Sequence, residues 1–473
     1  MIRVRIKTML LSAILFTLAA VVIQAGGITL AADNTVNQVD TQTPSGVAAN
    51  GELFSLERCI EIALAKNPEI AASQWDIAAA DSRHDNARAA FWPQVSAEGG
   101  AYRYVDEQRL IAARYNGEPG TFDNDLRRGD VVARMTLYSG GRITSEASVA
   151  GKLSEAEKKK FIRTRDELIY SVTSVYFSIR GQQKIIASLE FSRGALEENR
   201  KRVLQLYDAQ KVAKVDLLRT EVRLTDLKQN IIKEENTLAV QKRLLFNLMG
   251  YDAVPKNARL EDTFAQPTEA PIDMRRLIDA ALKNRPDYQA AKDRMESQTL
   301  RVAVAKAGHL PSLNLVGSYG VRNAPSPSDV GTYPKTKEKT KSTEDAGFVG
   351  VVLSVPLFEG GRVSAKINEE TAILSAARDR LKKLDLQIRQ ETETAALDVL
   401  SSTERFKATE KSIEQAKESL RIESLKYELG RGSITDVLDA QAALLQAETS
   451  NCRSCIDYHI SMARLRLATG GSL

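Results

Sequence analysis

Hydrophobic residues recur with two different periods along this chain. In four segments they occupy every second position, as Val131, Ala133, Met135 and Leu137 do, and in most of the remainder they recur at intervals of three and four. Alternation is typical of a strand with one apolar face, whereas a period near 3.6 is typical of an amphipathic helix. The alternating pattern predicts strands over ~95–104, ~130–138, ~313–322 and ~347–357.

Two very long helices follow the strand pairs, and each leads into a return helix. The helical period continues without proline over ~142–208 and ~362–429, and at 1.5 Å per residue each helix would be about 100 Å long. Short turns then reverse the chain into return helices over ~215–249 and ~434–469. Apolar stripes on helices of this length indicate packing against other long helices, as in a coiled coil.

The order of elements occurs twice, because the chain repeats itself after about 220 residues. The segment Leu137-Tyr138-Ser139-Gly140-Gly141-Arg142 returns as Leu357-Phe358-Glu359-Gly360-Gly361-Arg362. We predict that the glycine pairs in these two segments form the turns from strand to helix. The chain divides into a first repeat (54–250), a linker (251–272) and a second repeat (273–470).

The first residues have the pattern of a targeting segment. Arg3, Arg5 and Lys7 precede a nearly continuous apolar run, and small residues follow up to Ala32. We predict a secretory signal peptide over 1–32, followed by a polar leader over 33–53. A membrane anchor is the alternative interpretation, although the apolar run is short for a span of about 20 residues.

Charge and composition exclude several classes of function. The 473-residue chain has a formal net charge of +5, and removal of the three basic residues in 1–32 leaves 5 − 3 = +2. The charges interleave along the helices as on solvated faces, so no nucleic-acid partner is predicted. Cys452 and Cys455 have CxxC spacing but lie inside a predicted helix, and no second pair accompanies them. We predict no catalytic residues, no cofactor and no metal site, and assign no role to Cys59, Cys452 or Cys455.

The four predicted strands fit either a membrane or a soluble sheet. Segments of about ten residues with one apolar face are the signature of transmembrane β-strands, but a soluble hairpin gives the same alternation. Polar loops over ~105–129 and ~323–346 join the strands of each pair. Four strands cannot close a barrel, and an open edge in lipid leaves backbone groups unpaired. If the strands cross a membrane, several chains must share one barrel.

The motifs of the chain and their order resemble those of the TolC-type outer-membrane efflux proteins. The resemblance is carried by Phe54-Ser55-Leu56 with Asn67-Pro68, by the two Leu-aromatic-x-Gly-Gly-Arg motifs, and by Tyr427-x-x-Gly430-x-Gly432-x-x-x-Asp436-Val437-Leu438-Asp439-Ala440. It covers nearly all of 54–470. Each motif alone is a weak signal, whereas their order, duplication and spacing together are specific.

The resemblance implies a fold, a location and a set of partners. The fold would be mostly α-helical within the α+β class: a homotrimer with a twelve-stranded transmembrane β-barrel, continued by a periplasmic α-helical barrel. The protein would lie in the outer membrane of a Gram-negative bacterium, in contact with its lipid, and extend into the periplasm. It would be the exit duct of a tripartite efflux or type I secretion system. Its partners would be a periplasmic adaptor protein and an inner-membrane pump of the RND, ABC or MFS type.

The family's functional residues fall on the two hairpin tips of this sequence. Asp436 and Asp439 match a pair of aspartates that rings the periplasmic entrance, and they are one helical turn apart. Six carboxylates around a narrow axis would favour cations. The alternative is that they complement the dipole of the helix N-terminus. Tyr427 and Asp216 match a gate link, which predicts a hydrogen bond between them, and Arg431 stands one position before the family's basic gate residue.

The second tip also carries the expected docking surface for an adaptor, at Gly430 and Gly432. The first tip departs from this pattern, since Gln210 and Val212 stand where the second tip has glycines. The resemblance therefore supports adaptor docking at the second tip more than at the first.

Two other functions fit part of the pattern. A periplasmic adaptor also has a long helical hairpin, but it would have one hairpin flanked by β-rich domains. A structural coiled-coil envelope protein without a pore would not need four alternating strands. The duplicated strand pairs favour the channel over both, and an enzyme is the least favoured class.

Overall fold

The helices account for most of the chain that the structure describes. The computed structural model describes residues 53–111, 120–255, 258–261, 266–267, 272–325 and 343–471. The predicted signal peptide, and the predicted leader except residue 53, lie outside these ranges. The helices are α1 (Leu56–Lys66), α2 (Pro68–Ala89), α3 (Arg142–Asp208), α4 (Lys214–Leu248), α5 (Met274–Asn284), α6 (Pro286–Lys306), α7 (Arg362–Glu428) and α8 (Ile434–Ala468).

Two helical hairpins dominate the fold. The first hairpin (α3 with α4) and the second hairpin (α7 with α8) each combine a helix of 67 residues with a return helix of 35 residues. Within the described ranges, no helix combines the length and the apolarity that crossing a membrane requires.

The strands form one four-stranded sheet and one small pair. The strands are β1 (Leu53–Phe54), β2 (Gln94–Ile111), β3 (Thr121–Tyr138), β4 (Arg259–Leu260), β5 (Ser312–Asn323) and β6 (Thr343–Ser354). In the larger sheet the order is β2-β3-β5-β6 with antiparallel neighbours, and β1 pairs with β4 in parallel. Strands β2 and β6 are therefore the two edges of an open sheet within one chain.

Three strands differ in extent from the sequence prediction. Most of the predicted loop over ~105–129 is strand, because β2 and β3 form a hairpin in which each strand has 18 residues. Polar residues occupy both faces there, as in the Arg103–Asp125 pair at 2.7 Å, so the alternation that marks a strand is absent. Strand β6 begins earlier than predicted and ends at Ser354 rather than near 357, consistent with Pro356, which cannot donate a ladder hydrogen bond.

The two faces of the large sheet differ in polarity. Because side chains alternate across a strand, Val131, Tyr319, Val349 and their neighbours on alternate positions share one face, and they are about half exposed. The opposite face carries polar pairs, such as Arg134 with Glu98 at 2.9 Å, and also Phe348 and Val352 of β6. The first face is thus the more apolar of the two.

The helices share apolar cores at two levels. Near β1, Phe54 packs edge-to-face on Phe246 at 5.5 Å, and the Tyr176 hydroxyl donates to the Glu261 carbonyl at 3.2 Å. Towards the tips, a second cluster joins both hairpins and includes Leu224 and Val437. Helix α3 packs on α4 within its own hairpin and on α8 of the other. The two hairpins of a protomer are therefore in direct contact near their tips.

The mostly helical class with a smaller sheet agrees with the sequence prediction. The four strands of the described residues form an open sheet, so the closed barrel that the resemblance implies would require further copies.

Candidate gate at the helical tips

Both long helices end in the same hydrogen-bonded turn. At the second tip the Arg431 amide donates to the Lys426 carbonyl at 2.8 Å and the Gly430 amide donates to Tyr427 at 3.0 Å. Gly430 has φ 69°, as a left-handed helix terminus of this Schellman type requires. Gly432 packs closely, because a Cβ there would lie 3.1 Å from the Tyr427 amide nitrogen. The geometry of the turn thus accounts for glycine at both positions.

The first tip forms this turn without glycine. The Gln210 amide donates to Tyr207, and the Lys211 amide donates to Leu206, both at 2.8 Å. Gln210 has φ 56°, and within the described ranges it is the only non-glycine residue with a positive φ. A side chain in this region costs about 1–2 kcal/mol relative to the right-handed helix.

Asp436 caps the return helix of the second hairpin. Its carboxylate accepts from the Ser433 amide at 3.1 Å, while the Ser433 hydroxyl oxygen accepts from the Thr435 amide at 3.1 Å. This reciprocal arrangement is a capping box, which satisfies donors that the first turn leaves free. The structure therefore gives Asp436 the helix-capping role that was the alternative to an aperture role, and the two roles are compatible because its carboxylate remains at the tip surface.

Asp439 is part of a set of polar contacts between the two hairpins. The Arg223 guanidinium of α4 donates to the Asp439 carboxylate at 3.1 Å. One helical turn away, Arg219 donates to the Thr435 hydroxyl at 3.0 Å. A third contact joins α3 to α7, since Arg202 donates to Glu428 at 2.9 Å. We call these three contacts the tip links.

The tip links are exposed and therefore weak. The side chains of Arg223 and Asp439 are 50% and 62% exposed, and those of Arg202 and Glu428 are 58% and 54% exposed. Exposed ion pairs contribute about 0.2–1 kcal/mol each. The links are thus strong enough to bias the relative position of the hairpins and weak enough to break reversibly.

The predicted hydrogen bond between Tyr427 and Asp216 is not formed. The Tyr427 ring packs against the tip cluster beside Val212 and Leu217, and its hydroxyl is buried with no hydrogen-bond partner among the described residues. Burial, followed by the nearby Asp216 carboxylate, raises the pKa of Tyr427 above its usual value. The two residues are close enough for the Asp216 charge to act on Tyr427, but the hydroxyl and the carboxylate do not form a hydrogen bond. Arg431 is exposed, and its backbone amide takes part in the hydrogen bonds of the turn.

The glycine pairs at the strand-to-helix turns are required by the backbone. Gly140 and Gly141 have φ 63° and 81°, and Gly360 and Gly361 have φ 60° and 82°. A Cβ on Gly140 would also lie 2.6 Å from the Leu310 Cβ. Both long helices consequently start from the same left-handed turn, as their shared motif predicts.

The cysteines have the properties of packing residues. All three are free thiols. Burial raises the pKa of Cys59 to about 12 and that of Cys455 to about 11. Protonated, desolvated thiols are poor nucleophiles and poor ligands, so these residues add nothing to the tip site.

The tip links were not predicted from the sequence. The signal that could have found them is the shared spacing, since Arg219 and Arg223 are separated by four residues, as are Thr435 and Asp439. Residues four apart lie on one helix face, so the two pairs match along facing helices. The pairing also depends on the axial position of one hairpin relative to the other, which the spacing alone does not specify.

The match to a known protein family occurs twice along the chain, once in each repeat. The model of the outer membrane efflux protein family matches residues 59–251 and again 277–471. The chain belongs to the outer membrane efflux protein family. It is accordingly an outer-membrane channel protein of a Gram-negative bacterium, an exit duct of efflux or secretion, and it extends into the periplasm. The resemblance inferred from the sequence is confirmed, and neither a periplasmic adaptor nor a poreless coiled-coil protein is supported.

Individual relatives are distant but similar over most of their length. The outer membrane protein TolC of Vibrio cholerae serotype O1 is 22% identical over 367 residues, which cover 76% of this chain and 81% of the relative. Among solved structures, a membrane protein from Pseudomonas aeruginosa has a TM-score of 0.74 at 20% identity, covering 88% of this chain and 92% of its own. The outer membrane protein VceC of Vibrio cholerae has a TM-score of 0.73 at 19% identity, with 88% and 96% covered. These structures show that the fold is shared.

Proposed function

We propose that three copies of this chain share one twelve-stranded barrel in the outer membrane, and that their helices form one passive duct gated at the tips. The observation that carries this proposal is the open sheet, whose edge strands β2 and β6 each have one free edge among the residues that the structure describes. In lipid every backbone group needs a partner, so the edges must pair with those of neighbouring copies. Two copies would supply eight strands and a filled interior, whereas three supply a barrel wide enough to conduct.

The polarity of the sheet supports the same assembly. The face with Val131, Val349 and Val351 would meet lipid, and the face with Arg134 and Glu98 would line the water-filled interior. No catalytic step is needed for such a conduit, and we propose none.

We propose that the tip links hold the duct closed in this chain. They connect the two hairpins of one protomer at the tips, which are the ends of α3 and α7 that lie furthest from the strands. Separation of the hairpins would break all three contacts, which together represent about 1–3 kcal/mol per protomer. Tyr427 and Asp216 would contribute through packing rather than through a mutual hydrogen bond, and the exposed Arg431 would be a further polar contact between copies.

We propose that Asp436 and Asp439 define the electrostatics of the entrance. Both are exposed, one turn apart, at the start of α8. Three copies would bring six carboxylates to the axis, which favours cations. The Arg223 partner of Asp439 offsets one of each pair, so Asp436 would contribute the larger share of the field.

The exposed turn at Gly430 and Gly432 is the surface that we propose for a periplasmic adaptor, which would connect the duct to an inner-membrane pump of the RND, ABC or MFS type. The compact turn leaves the tip without bulky side chains at these two positions. An adaptor hairpin could therefore approach its backbone closely.

Conductance of the purified protein in planar bilayers tests the proposed function. We expect single channels of low conductance that are selective for cations, and larger conductance after loss of the tip links. A protein that inserts and never conducts, with or without the links, would contradict a gated duct.

A further inference from the structure

A cavity lies where the helices adjoin the large sheet. It has a volume of about 450 Å³ and is bordered by α3, α6 and α7 of one protomer. Arg362 at the start of α7 and Gly308 shortly before β5 both line it, so it lies at the end of the helical region nearest to the strands. Its size falls within the range of small-ligand sites, ~300–1,000 Å³.

The lining of the cavity carries charges of both signs. Three cations, Arg301, Arg362 and Lys366, border it together with two carboxylates, Glu146 and Glu370. The other lining residues are small or apolar. Charge complementarity selects the partner of such a surface, and this one suits a ligand that bears a negative and a positive group close together rather than a simple anion.

The two carboxylates differ in how far they are already paired. Glu370 is 8% exposed, the Gln298 amide donates to it at 2.6 Å, and Lys366 pairs with it at 3.0 Å. Burial opposes its ionisation, but these partners prevail, and the pKa of Glu370 lies below its usual value. The Glu146 side chain is 42% exposed, and its ion pair with Arg142 is long, at 3.8 Å. Glu146 is therefore the carboxylate that remains available to a cationic group.

Among the three cations, Arg301 has the most free hydrogen-bonding capacity. Arg362 donates to Glu359 at 2.7 Å, and Lys366 already pairs with Glu370. Arg301 is exposed and acts on Glu370 through its charge, but among the described residues it forms no hydrogen bond and no ion pair. The five N–H donors of a guanidinium match the geometry of a phosphate. Arg301 is thus free to bind a phosphate group.

The duplication shows that the fold alone does not require these charges. The shift that relates the two Gly-Gly-Arg motifs also relates Glu146 to Lys366 and Ala150 to Glu370. The first repeat thus has a carboxylate and a methyl group where the second repeat has an ammonium group and a carboxylate. The same strand-to-helix connection forms in both repeats, so the charges of the second repeat are not needed for it.

Large exposed apolar side chains occur between the last residue of β6 and the start of α7. Leu357 and Phe358 are 91% and 89% exposed, and Leu310, two residues after Gly308, is 46% exposed. With the barrel in the outer membrane, this level is the periplasmic boundary of the bilayer, where aromatic side chains collect at the level of the lipid head groups. A charged cavity next to exposed apolar residues matches a lipid head group next to its acyl chains.

We propose that this cavity binds the head group of a zwitterionic aminophospholipid of the periplasmic leaflet, such as phosphatidylethanolamine. Arg301, Arg362 and Lys366 bind the phosphate, Glu146 binds the ammonium group, and the acyl chains lie against the exposed apolar residues that precede α7. The inference rests on the proposed function, because it requires the sheet to lie in the membrane. One such lipid per protomer fixes the depth of the duct in the bilayer.

Lipid binding to the full-length protein tests the site. The detergent-solubilised particle is stripped of lipid and titrated with phosphatidylethanolamine or with phosphatidylglycerol of the same acyl chains, and native mass spectrometry counts the bound lipids. We expect one tightly bound phosphatidylethanolamine per protomer and weaker binding of phosphatidylglycerol, whose head group has no ammonium.

A matched pair of variants locates the binding. Arg301→Gln should weaken the binding of phosphatidylethanolamine about tenfold, and it removes no hydrogen bond or ion pair among the described residues. The control is Arg83→Gln, because Arg83 is exposed on α2 at the position of the first repeat that corresponds to Arg301. It should bind lipid like the unaltered protein, and equal effects of the two changes would overturn the site.

Removal of the carboxylate separates a zwitterionic ligand from a simple anion. Glu146→Gln should weaken the binding of phosphatidylethanolamine about tenfold and should not weaken that of phosphatidylglycerol. Equal binding of both lipids to the unaltered protein would overturn the proposal. Full displacement of the lipid by an equal concentration of soluble phosphoethanolamine would also overturn it, because the cavity would then select the free head group.

The outcome for the lipid site can be distinguished from that for the duct. A trimeric, conducting particle that retains neither lipid would overturn the lipid site and leave the proposed function intact. A monomeric particle that does not conduct would contradict both.

Discussion

Arg223 of the first hairpin donates to the carboxylate of Asp439 in the second hairpin at 3.1 Å. The contact joins α4 and α8, which are the equivalent return helices of the two repeats. The two helices have diverged here, because α8 has no arginine at the position that corresponds to Arg223. The two hairpins are thus unequal at their tips: the first supplies the donors and the second supplies the acceptors.

Loss of the tip links should open the duct. Arg223→Ala combined with Arg202→Ala removes two contacts per protomer, about 0.4–2 kcal/mol, and should raise the open-to-closed ratio of each protomer roughly two- to thirtyfold. Single-channel recording in planar bilayers measures the change as open time and conductance. The matched control is Arg405→Ala, because Arg405 pairs with Asp457 at 3.1 Å within the second hairpin; it should leave gating unchanged. Equal effects of both changes would contradict a role for contacts between hairpins.

The aspartates at the start of α8 should determine ion selectivity. Replacement by asparagine keeps an acceptor for the Ser433 amide but removes the charge, so the capping box at Asp436 remains. Asp436→Asn with Asp439→Asn should reduce the preference for cations, measured as the reversal potential across a salt gradient. This quantity does not depend on open probability, so it separates charge from gating. Asp457→Asn is the control, and an unchanged reversal potential in the tip variant would remove the aspartate-ring proposal.

Gln210, which has a left-handed backbone conformation, should lower the stability of the turn at the first tip. Gln210→Gly removes the side chain from a position with φ 56°, and we expect this to stabilise the turn by about 1 kcal/mol. The reciprocal change, Gly430→Gln, should lose a similar amount at the second tip. Hydrogen exchange of the turn amides should slow in the first variant and accelerate in the second. If both variants changed in the same direction, the backbone explanation would be wrong.

The buried Arg285 should stabilise the start of the second repeat. Its side chain is 2% exposed and pairs with Asp287 and Glu391, each at 2.7 Å. Arg285→Ala leaves two carboxylates facing each other, which should lower the free energy of unfolding by about 3–5 kcal/mol. Thermal denaturation in detergent measures the loss. Lys292→Ala, which removes an exposed cation from α6, should have little effect.

The same cluster predicts a direction for pH dependence. Burial opposes ionisation of Asp287 and Glu391, but the Arg285 guanidinium prevails, and the pKa of each carboxyl lies below its usual value. A lowered pKa in the folded state adds stability above the unfolded pKa, and this stability is lost as the pH falls through the folded value. The protein should therefore lose stability on acidification below the ordinary carboxyl range, and Arg285→Ala should show a smaller loss.

Periodicity predicted the order of elements because the helices are long and regular. The Gly-Gly-Arg motifs marked the strand-to-helix turns for a backbone reason, as the positive φ values of Gly141 and Gly361 show. The extended β2–β3 hairpin was missed because charged residues such as Arg103 and Asp125 occupy it. Alternation identifies a strand only where one face is apolar.

The tip site was harder to predict than the fold. Asp436, Asp439, Tyr427 and Asp216 all lie at the tips, but the predicted hydrogen bond is not formed, because Tyr427 packs against an apolar cluster with its hydroxyl buried and without a partner among the described residues. The arginines of the tip links were missed because their partners are more than 200 residues away in sequence. Contacts between two helices depend on their relative depth, which a single helical period does not specify.

The mass of the detergent-solubilised particle from outer membranes tests the shared barrel most directly. The open sheet of one chain predicts a trimer that requires detergent and contains no other protein. A monomer that remains soluble without detergent would mean that the strands do not enter lipid, and it would contradict the shared barrel and the duct built on it.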